Sequence, residues 1–340
     1  MSDLNNIKAI GTFMLQENYL TCALYKFVAL PEFEIIRPKL KKIMDSNNVF
    51  GTILLASEGI NGTISGLPKS VLSVVDWLEN YPGIGKVEIK KSYSKEVPFY
   101  RSKVKIKKEI VTMGVEKLDS DAYSGEYVEP DKWNELISDP DVLVIDTRND
   151  YEVSIGSFDH AVDPGLKTFK EFPQWAERNL HSKKNKKIAM FCTGGIRCEK
   201  STALLKKRGF DEVYHLKGGI LNYLSKVPET DSLWTGECFV FDNRVTVNHS
   251  LEQGSYDQCH ACRRPITEED KVSERYEKGV SCDFCFAEVS EERKSQFAER
   301  QKQVDLAKNR GEDHIGKGAF EANKKRKLSK RNRFNSVYDS

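Results

Sequence analysis

The residues with the clearest capacity for chemistry form the segment Phe191-Cys192-Thr193-Gly194-Gly195-Ile196-Arg197-Cys198-Glu199-Lys200. The pattern predicts a strand over 187–191 and a helix over 199–208, so Cys192 follows a strand and precedes a helix N-terminus. Backbone N–H groups and the helix dipole at such a place favour the thiolate. Arg197 adds a fixed positive charge beside it. The segment therefore predicts a nucleophilic sulfur within an anion-binding loop.

The length of this loop bears on which chemistry it supports. Its backbone is formed by Thr193, Gly194, Gly195 and Ile196, and the two consecutive glycines let the main chain pass close to the sulfur. A cysteine-based phosphatase needs one more residue between nucleophile and arginine to encircle a phosphate. The shorter loop favours a persulfide or another small sulfur species. A phosphatase and a buried core cysteine in a glycine-rich turn remain as less favoured alternatives.

Four further cysteines have the spacing of a metal site. Cys259-x-x-Cys262 is followed, after nineteen residues, by Cys282-x-x-Cys285. Two such knuckles place four thiolates around one zinc ion, which closes the coordination shell and makes the metal structural rather than catalytic. His260, inside the first knuckle, is not expected to be a ligand. The alternative is four reduced thiols in a ribbon without metal.

Basic residues are concentrated in three places, where they are candidates for RNA binding. They are Arg101, Lys103, Lys105 and Lys107 in one predicted strand, Arg263 and Arg264 beside the first knuckle, and Lys324, Lys325, Arg326 and Lys327 in the C-terminal tail. With period-two alternation the four strand residues share one face, which would suit a phosphate backbone. Taken alone, each group is more typical of a solvated surface than of an RNA-binding site. For the strand, the favoured interpretation is a sheet edge kept soluble by lysines.

The secondary-structure pattern divides the chain into an α/β protein of several parts. The order strand, helix, strand, strand, helix, strand in residues 1–111 predicts a ferredoxin-like α+β domain. A linker over 112–127 follows, and alternating strands and helices over 128–228 predict a doubly wound parallel sheet. Residues 229–289 hold the small four-cysteine module, and 290–340 form a charged tail predicted as helix fading into disorder.

Composition excludes several classes of protein. Lys and Arg number 53 against 51 Asp and Glu, the formal net charge is +2, and 39% of residues are hydrophobic, which argues against a wholly disordered chain. The longest apolar stretches are too short to cross a bilayer, and the N-terminus has no secretory pattern. We therefore expect a cytoplasmic protein with no membrane partner, whose cysteines are ligands or catalysts rather than disulfides.

Several segments together resemble one family. The Cys192 loop, with Asp146-Thr-Arg-Asn-Asp-Tyr-Glu152 before it and Leu216-Lys-Gly-Gly-Ile220 after it, is similar to a rhodanese domain. The chain as a whole resembles the rhodanese-containing tRNA uridine 34 hydroxylases. That wider resemblance also rests on Ala56-Ser-Glu-Gly-Ile-Asn-Gly-Thr-Ile64 and Gly236-Glu-Cys-Phe-Val-Phe-Asp-Asn-Arg-Val-Thr-Val247, and it covers about residues 19–289.

The resemblance implies oxygen-dependent formation of 5-hydroxyuridine at the wobble position of tRNA, with molecular oxygen as co-substrate. Cys192 would carry the reactive sulfur and Arg197 would be the loop cation. Cys198 either resolves a sulfur intermediate or is a partly buried thiol, and Asp146 and Arg148 either brace the loop or form a structural ion pair, which is the favoured interpretation. The implied partners are the tRNA anticodon loop and a sulfur or electron donor protein.

The residues themselves explain sulfur transfer more directly than hydroxylation. Oxygen chemistry normally uses flavin, haem or iron, and the sequence shows no flavin, haem or nucleotide motif and no facial-triad spacing among its six histidines. One route would have Cys192 add to C6 of uracil, which makes C5 nucleophilic. A sulfurtransferase using thiosulfate or a protein donor is the first alternative, and a non-catalytic RNA-binding scaffold is the second.

Overall fold

A computed structural model describes residues 18–115, 118, 124–181, 186–312, 314 and 319. Its chain is a mixed α/β protein with three structured parts. Within these residues no helix combines the length and the apolar character that crossing a bilayer requires.

The N-terminal domain is a five-stranded sheet with two helices on one face. Its elements are β1 (Tyr19–Phe27), α1 (Phe33–Ser46), β2 (Phe50–Ala56), β3 (Gly59–Gly66), α2 (Pro68–Glu79), β4 (Glu88–Ser94) and β5 (Ser102–Ile106). The strand order β4-β1-β3-β2-β5 contains the ferredoxin-like arrangement, which confirms the predicted fold, with β5 added at one edge parallel to β2.

The turn between β2 and β3 is short, although the segment that follows β2 is rich in glycine. β3 already begins at Gly59, because β1 extends far enough for Phe27 to pair with Gly59. The turn is therefore reduced to Ser57 and Glu58. The glycines that follow this turn lie in β3, where the lack of a side chain permits close approach of the neighbouring backbone.

The two faces of this sheet differ in character because side chains alternate along each strand. Leu20, Cys22 and Leu24 of β1 pack into the core beneath α1 and α2. Thr21, Ala23 and Tyr25 point to the opposite face, on which the described part of this domain places no helix and which lines a cavity. Cys22 is completely buried in this core.

The central domain is a four-stranded parallel sheet with helices on both faces. Its elements are β6 (Glu126–Val128), α3 (Pro130–Ile137), β7 (Val142–Asp146), α4 (Asp150–Val153), β8 (Gly156–Phe158), α5 (Phe172–Leu180), β9 (Lys187–Phe191), α6 (Ile196–Lys207), β10 (Val213–Leu216) and α7 (Gly219–Lys226). The sheet order is β6-β10-β9-β7, and every neighbouring pair is parallel. One hydrophobic core includes α3 and α7, and another includes α5 and α6, which confirms the doubly wound arrangement.

The segment 229–289, predicted as one module, is divided between two parts of the structure. β11 (Trp234–Gly236) pairs with β8, and Trp234, Cys238 and Val247 belong to a core of the central domain. The hairpins β12 (Cys238–Phe239) with β13 (Thr246–Val247) and β14 (Asp257–Gln258) with β15 (Pro265–Ile266) follow, and the second leads into the four-cysteine cluster. The polar helix α8 (Glu291–Asn309) comes next.

Candidate active site and metal centre

The Cys192 loop lies where β9 passes into α6. The helix begins at Ile196 rather than at the predicted Glu199, because Gly195 has the left-handed φ of 96° that ends the loop and allows the helix to start. The Gly195 backbone N–H donates a hydrogen bond to Cys192 Sγ at 3.2 Å. Arg197 and Cys198 therefore lie in the first turn of the helix, beside the sulfur.

The N-terminus of α7 supports this loop from the other side. The Ile220 N–H donates to the Cys192 carbonyl at 2.9 Å, and the Leu221 N–H donates to the Thr193 carbonyl at 3.1 Å. A Cβ at Gly219 would lie 2.4 Å from the Cys192 carbonyl oxygen, so only glycine permits this approach. The motif 216–220 thus holds the loop backbone in place.

The sulfur of Cys192 is stabilised as a thiolate. Burial alone raises the pKa of Cys192, but the hydrogen bond with Cys198, the charge of Arg197 and the backbone N–H groups of both residues outweigh it and lower the pKa below its usual value. Burial and the adjacent Cys192 raise the pKa of Cys198. Cys192 is therefore the ionised member of the pair, and Cys198 is the protonated donor.

Arg197 is held by a carboxylate that was not among the predicted site residues. Arg197 Nη1 and Nη2 each donate to Glu152 at 2.7 Å, and Thr193 Oγ1 donates to the same carboxylate at 3.2 Å. Burial raises the pKa of Glu152, but the Arg197 charge and hydrogen bonds lower it below its usual value. Glu152 also accepts from the Asn149 N–H in a capping box, and the spacing of these two residues is a signal that the sequence contains.

Asp146 and Arg148 form a fully buried ion pair at 2.6 Å. Arg148 also donates to the Gly156 carbonyl at 2.5 Å, so the pair ties β7 to β8. Thr147, which lies between them, contacts the residues at both ends of the Cys192 loop. Its hydroxyl donates to the Phe191 carbonyl at 2.9 Å and lies 3.7 Å from Cys198 Sγ.

Cys192 is buried yet forms part of the wall of a cavity of about 440 Å³. The loop supplies one wall, with Thr193, Gly194, Ile196 and Arg197, and the helix-free face of the N-terminal sheet supplies the opposite wall. Small-molecule pockets commonly have about 300–1,000 Å³. The cavity is thus large enough for a nucleobase, and it exists only because two domains meet.

Residues of α6 that follow Cys198 join these domains. Glu199 accepts hydrogen bonds from the Tyr25 hydroxyl at 2.9 Å and from the Tyr127 hydroxyl at 2.8 Å. The next residue, Lys200, donates to Glu58 at 2.8 Å and to Glu109 at 2.7 Å. Cys198, Glu199 and Lys200 are consecutive in the chain. The thiol that lies next to Cys192 is therefore followed directly by the two residues that hold the N-terminal sheet in position.

The third wall of the cavity comes from the segment after β12. Arg244 pairs with Asp242 at 2.6 Å, and it donates to Ser92 of the N-terminal domain at 2.8 Å. The Arg197 guanidinium carbon lies 5.9 Å from the centre of the Phe241 ring. Sequence reasoning did not assign these residues to a site, although they lie in the motif 236–247.

The basic residues predicted to share one face of a strand, Arg101, Lys103, Lys105 and Lys107, are called the basic strip. Lys103 and Lys105, within β5, lie on the same sheet face as the cavity. Lys103 pairs with Thr52 and Lys105 pairs with Leu54, both of which line the cavity, while Val104 points into the core. Burial, and then the charges of Lys105, Arg101 and Arg263, lower the pKa of Lys103. The four-cysteine module therefore places Arg263 close to Lys103. Lys107 follows the strand, with its N–H donating to the Leu55 carbonyl.

The remaining predicted RNA-binding residues are not all part of this surface. The Arg264 guanidinium lies 5.7 Å from the ring centre of Phe284, at the second knuckle. Lys324, Lys325, Arg326 and Lys327 lie outside the described residues.

Cys259, Cys262, Cys282 and Cys285 converge as their spacing predicts. Their sulfur atoms all lie within 4.8 Å of one another, with pairs at 3.8 and 4.0 Å. Tetrahedral zinc with Zn–S bonds of about 2.3 Å requires sulfurs about 3.8 Å apart. The donor set and spacing therefore fit structural zinc, and four thiolates leave no open position for a substrate.

Comparison with known proteins identifies the two larger domains. Residues 19–110 match the family model described as the UPF0176 acylphosphatase like domain, and residues 129–226 match the rhodanese-like domain. The chain carries these two domains in the order found in the UPF0176 family. The Cys192 loop thus belongs to a rhodanese domain.

Solved structures with similarity to this chain include rhodanese proteins. A rhodanese-related protein from Thermoplasma volcanium is 19% identical, with 30% of this chain and 95% of that chain covered and a TM-score of 0.25. A rhodanese-like domain protein from Staphylococcus aureus is 24% identical, with coverage of 29% and 90% and a TM-score of 0.24.

We expect the four-cysteine cluster to bind one zinc ion per chain. Cys259→Ser should lower the zinc content of the purified protein severalfold and destabilise the module, because three thiolates no longer close the tetrahedral shell. Inductively coupled plasma mass spectrometry measures the metal. Cys192→Ser is the matched control and should keep its zinc. Equal zinc in both variants would contradict the assignment.

We expect the reactivity of Cys192 to depend on Cys198. In the wild-type protein, the rate of alkylation by iodoacetamide should rise with a midpoint below about pH 8.5, the ordinary value for cysteine. Cys198→Ala removes a hydrogen bond that stabilises the thiolate, so the pKa of Cys192 rises and the midpoint moves to higher pH. Mass spectrometry of the Cys192 peptide follows the reaction. Cys22→Ala, in the core beneath the N-terminal helices, should leave the midpoint unchanged, and a midpoint that does not move in Cys198→Ala would refute the dependence.

Proposed function

We propose that the protein hydroxylates C5 of the wobble uridine of tRNA in an oxygen-dependent reaction, with Cys192 as the nucleophile. The observation that carries the proposal is the position of an activated cysteine in the wall of a nucleobase-sized cavity whose opposite wall continues into a basic sheet edge. The resemblance of several motifs to tRNA uridine 34 hydroxylases names the reaction. The anticodon loop is single-stranded and can present a splayed base without melting a duplex.

The residues of the loop have definite tasks in this reaction. The Gly195 N–H and Cys198 keep Cys192 ionised, and Glu152 fixes the Arg197 charge nearby. Addition of the sulfur to C6 of uracil moves the C5–C6 electron pair toward the C4 carbonyl and makes C5 electron-rich. The overall reaction consumes oxygen, two electrons and two protons and gives 5-hydroxyuridine and water, so a two-electron donor is a required partner.

Sulfur transfer is the second candidate, and the match to a rhodanese-like domain favours it. In that reaction the Cys192 thiolate attacks the outer sulfur of thiosulfate, a persulfide forms, and sulfite leaves. Both reactions require the same thiolate, so the products must separate them.

Loss of the nucleophile should separate the candidate functions. A deletion strain should lose 5-hydroxyuridine derivatives from its tRNA, and Cys192→Ser should fail to restore them while Cys22→Ala restores them, because only Cys192 lines the cavity. Mass spectrometry of tRNA nucleosides is the measurement. Loss of thiolated nucleosides instead would favour the sulfurtransferase. Full restoration by Cys192→Ser would favour a non-catalytic RNA-binding scaffold.

The basic strip should contribute phosphate contacts. The double variant Lys103→Gln/Lys105→Gln should weaken tRNA binding and reduce the slope of log affinity against log salt by about 1.4–1.8, since each phosphate contact contributes about 0.7–0.9. Fluorescence anisotropy at several salt concentrations measures the slope. Lys39→Gln/Lys42→Gln, on α1 at the opposite side of the sheet, removes the same charge and should leave the slope nearly unchanged. Equal effects of the two variants would exclude a specific role for the strip.

A further inference from the structure

The β4 side chain Lys90 is buried in the wall of the Cys192 cavity without a hydrogen-bond partner. Only 9% of the residue is exposed, and within the described part of the chain its Nζ atom makes no hydrogen bond. The Nζ atom lies over the face of the Tyr25 ring, 4.3 Å from its centre. An ammonium group has three donors, so this contact leaves all of them unused.

Burial without partners is costly for a charged group, and the protein retains the group nonetheless. Burial lowers the pKa of Lys90 to about 8, while the charges of Glu88, Cys192 and Glu199 oppose that shift. The side chain therefore remains largely protonated at neutral pH. A protonated, unpaired donor that shares a cavity with a thiolate indicates a ligand that brings an oxygen acceptor to it.

We propose that Lys90 is a catalytic residue that binds the C4 oxygen of the target uracil and stabilises the negative charge that forms there. The inference rests on the proposed function. When Cys192 sulfur bonds to C6, the C5–C6 π pair becomes a C4–C5 double bond and the carbonyl π pair moves to oxygen. The resulting enolate needs a cation or a hydrogen-bond donor that is already in place.

The geometry assigns this task to Lys90 rather than to the loop arginine. Arg197 also lines the cavity, but both of its terminal nitrogens are bound to the buried Glu152, so its charge is already balanced by a carboxylate. Lys90 lies on the opposite wall, in the N-terminal sheet, where its donors are available. A base between the two walls would meet the sulfur on one side and the ammonium on the other.

The addition step can be tested without oxygen. An anticodon stem-loop RNA with uridine at the wobble position is incubated in D₂O, where the enolate takes a deuteron at C5, loses the original proton and expels Cys192. The wild-type protein should exchange the C5 hydrogen, and Cys192→Ser should not. Lys90→Met should slow exchange by about 100-fold or more, the usual effect of removing one oxyanion donor. Lys95→Met, an exposed lysine of the same domain, should exchange at the wild-type rate.

Stability measurements distinguish catalysis from a structural role. Lys90→Met and Lys90→Gln remove a buried, unpartnered charge, so their denaturant midpoints should equal or exceed that of the wild type. Wild-type exchange rates in both variants, or rates that fall only in proportion to lost folded protein, would overturn the assignment. If the wild type forms 5-hydroxyuridine but does not exchange, the Lys90 proposal fails and the proposed function survives. If the wild type does neither, both fail.

Discussion

The contacts made by two adjacent residues of α6, Glu199 and Lys200, determine the candidate site. Lys200 is buried and paired with two carboxylates of the N-terminal domain, while Glu199 receives the Tyr25 hydroxyl. Removing one partner of a buried ion pair typically costs about 3–5 kcal/mol. These contacts hold the helix-free face of the N-terminal sheet over the Cys192 loop. The Arg244–Ser92 hydrogen bond adds a second attachment of this sheet at the cavity.

This arrangement places side chains of two domains around one cavity. The loop supplies a sulfur nucleophile, and the sheet supplies polar side chains, a buried ammonium and a basic edge. The four-cysteine module adds Arg263 to that edge. In the proposed function, the rhodanese domain would supply the nucleophile and the N-terminal domain would contact the substrate, with the cavity between them as the common site.

Buried charge is arranged asymmetrically across the cavity. On the rhodanese side two buried arginines are paired: Arg197 with Glu152, and Arg148 with Asp146. On the sheet side Lys90 has none within the described residues. Because unpaired buried charge destabilises a protein, Lys90 is the residue on which the proposal of a substrate contact rests.

Sequence alone determined the features that depend on local spacing. The sulfur at a strand end, the glycines and the arginine identified the loop, and two Cys-x-x-Cys pairs identified the metal cluster, because short-range geometry fixes both. The period-two alternation of side chains in β5 also predicted that Lys103 and Val104 lie on opposite faces of the sheet. Only the tertiary structure decided that Glu152 holds Arg197, that Glu199 and Lys200 join two domains, and that Lys90 faces the cavity. Such contacts join residues far apart in the chain, and a lysine in a strand has no local signal that it will be buried, because its burial is decided by the domain that packs against it.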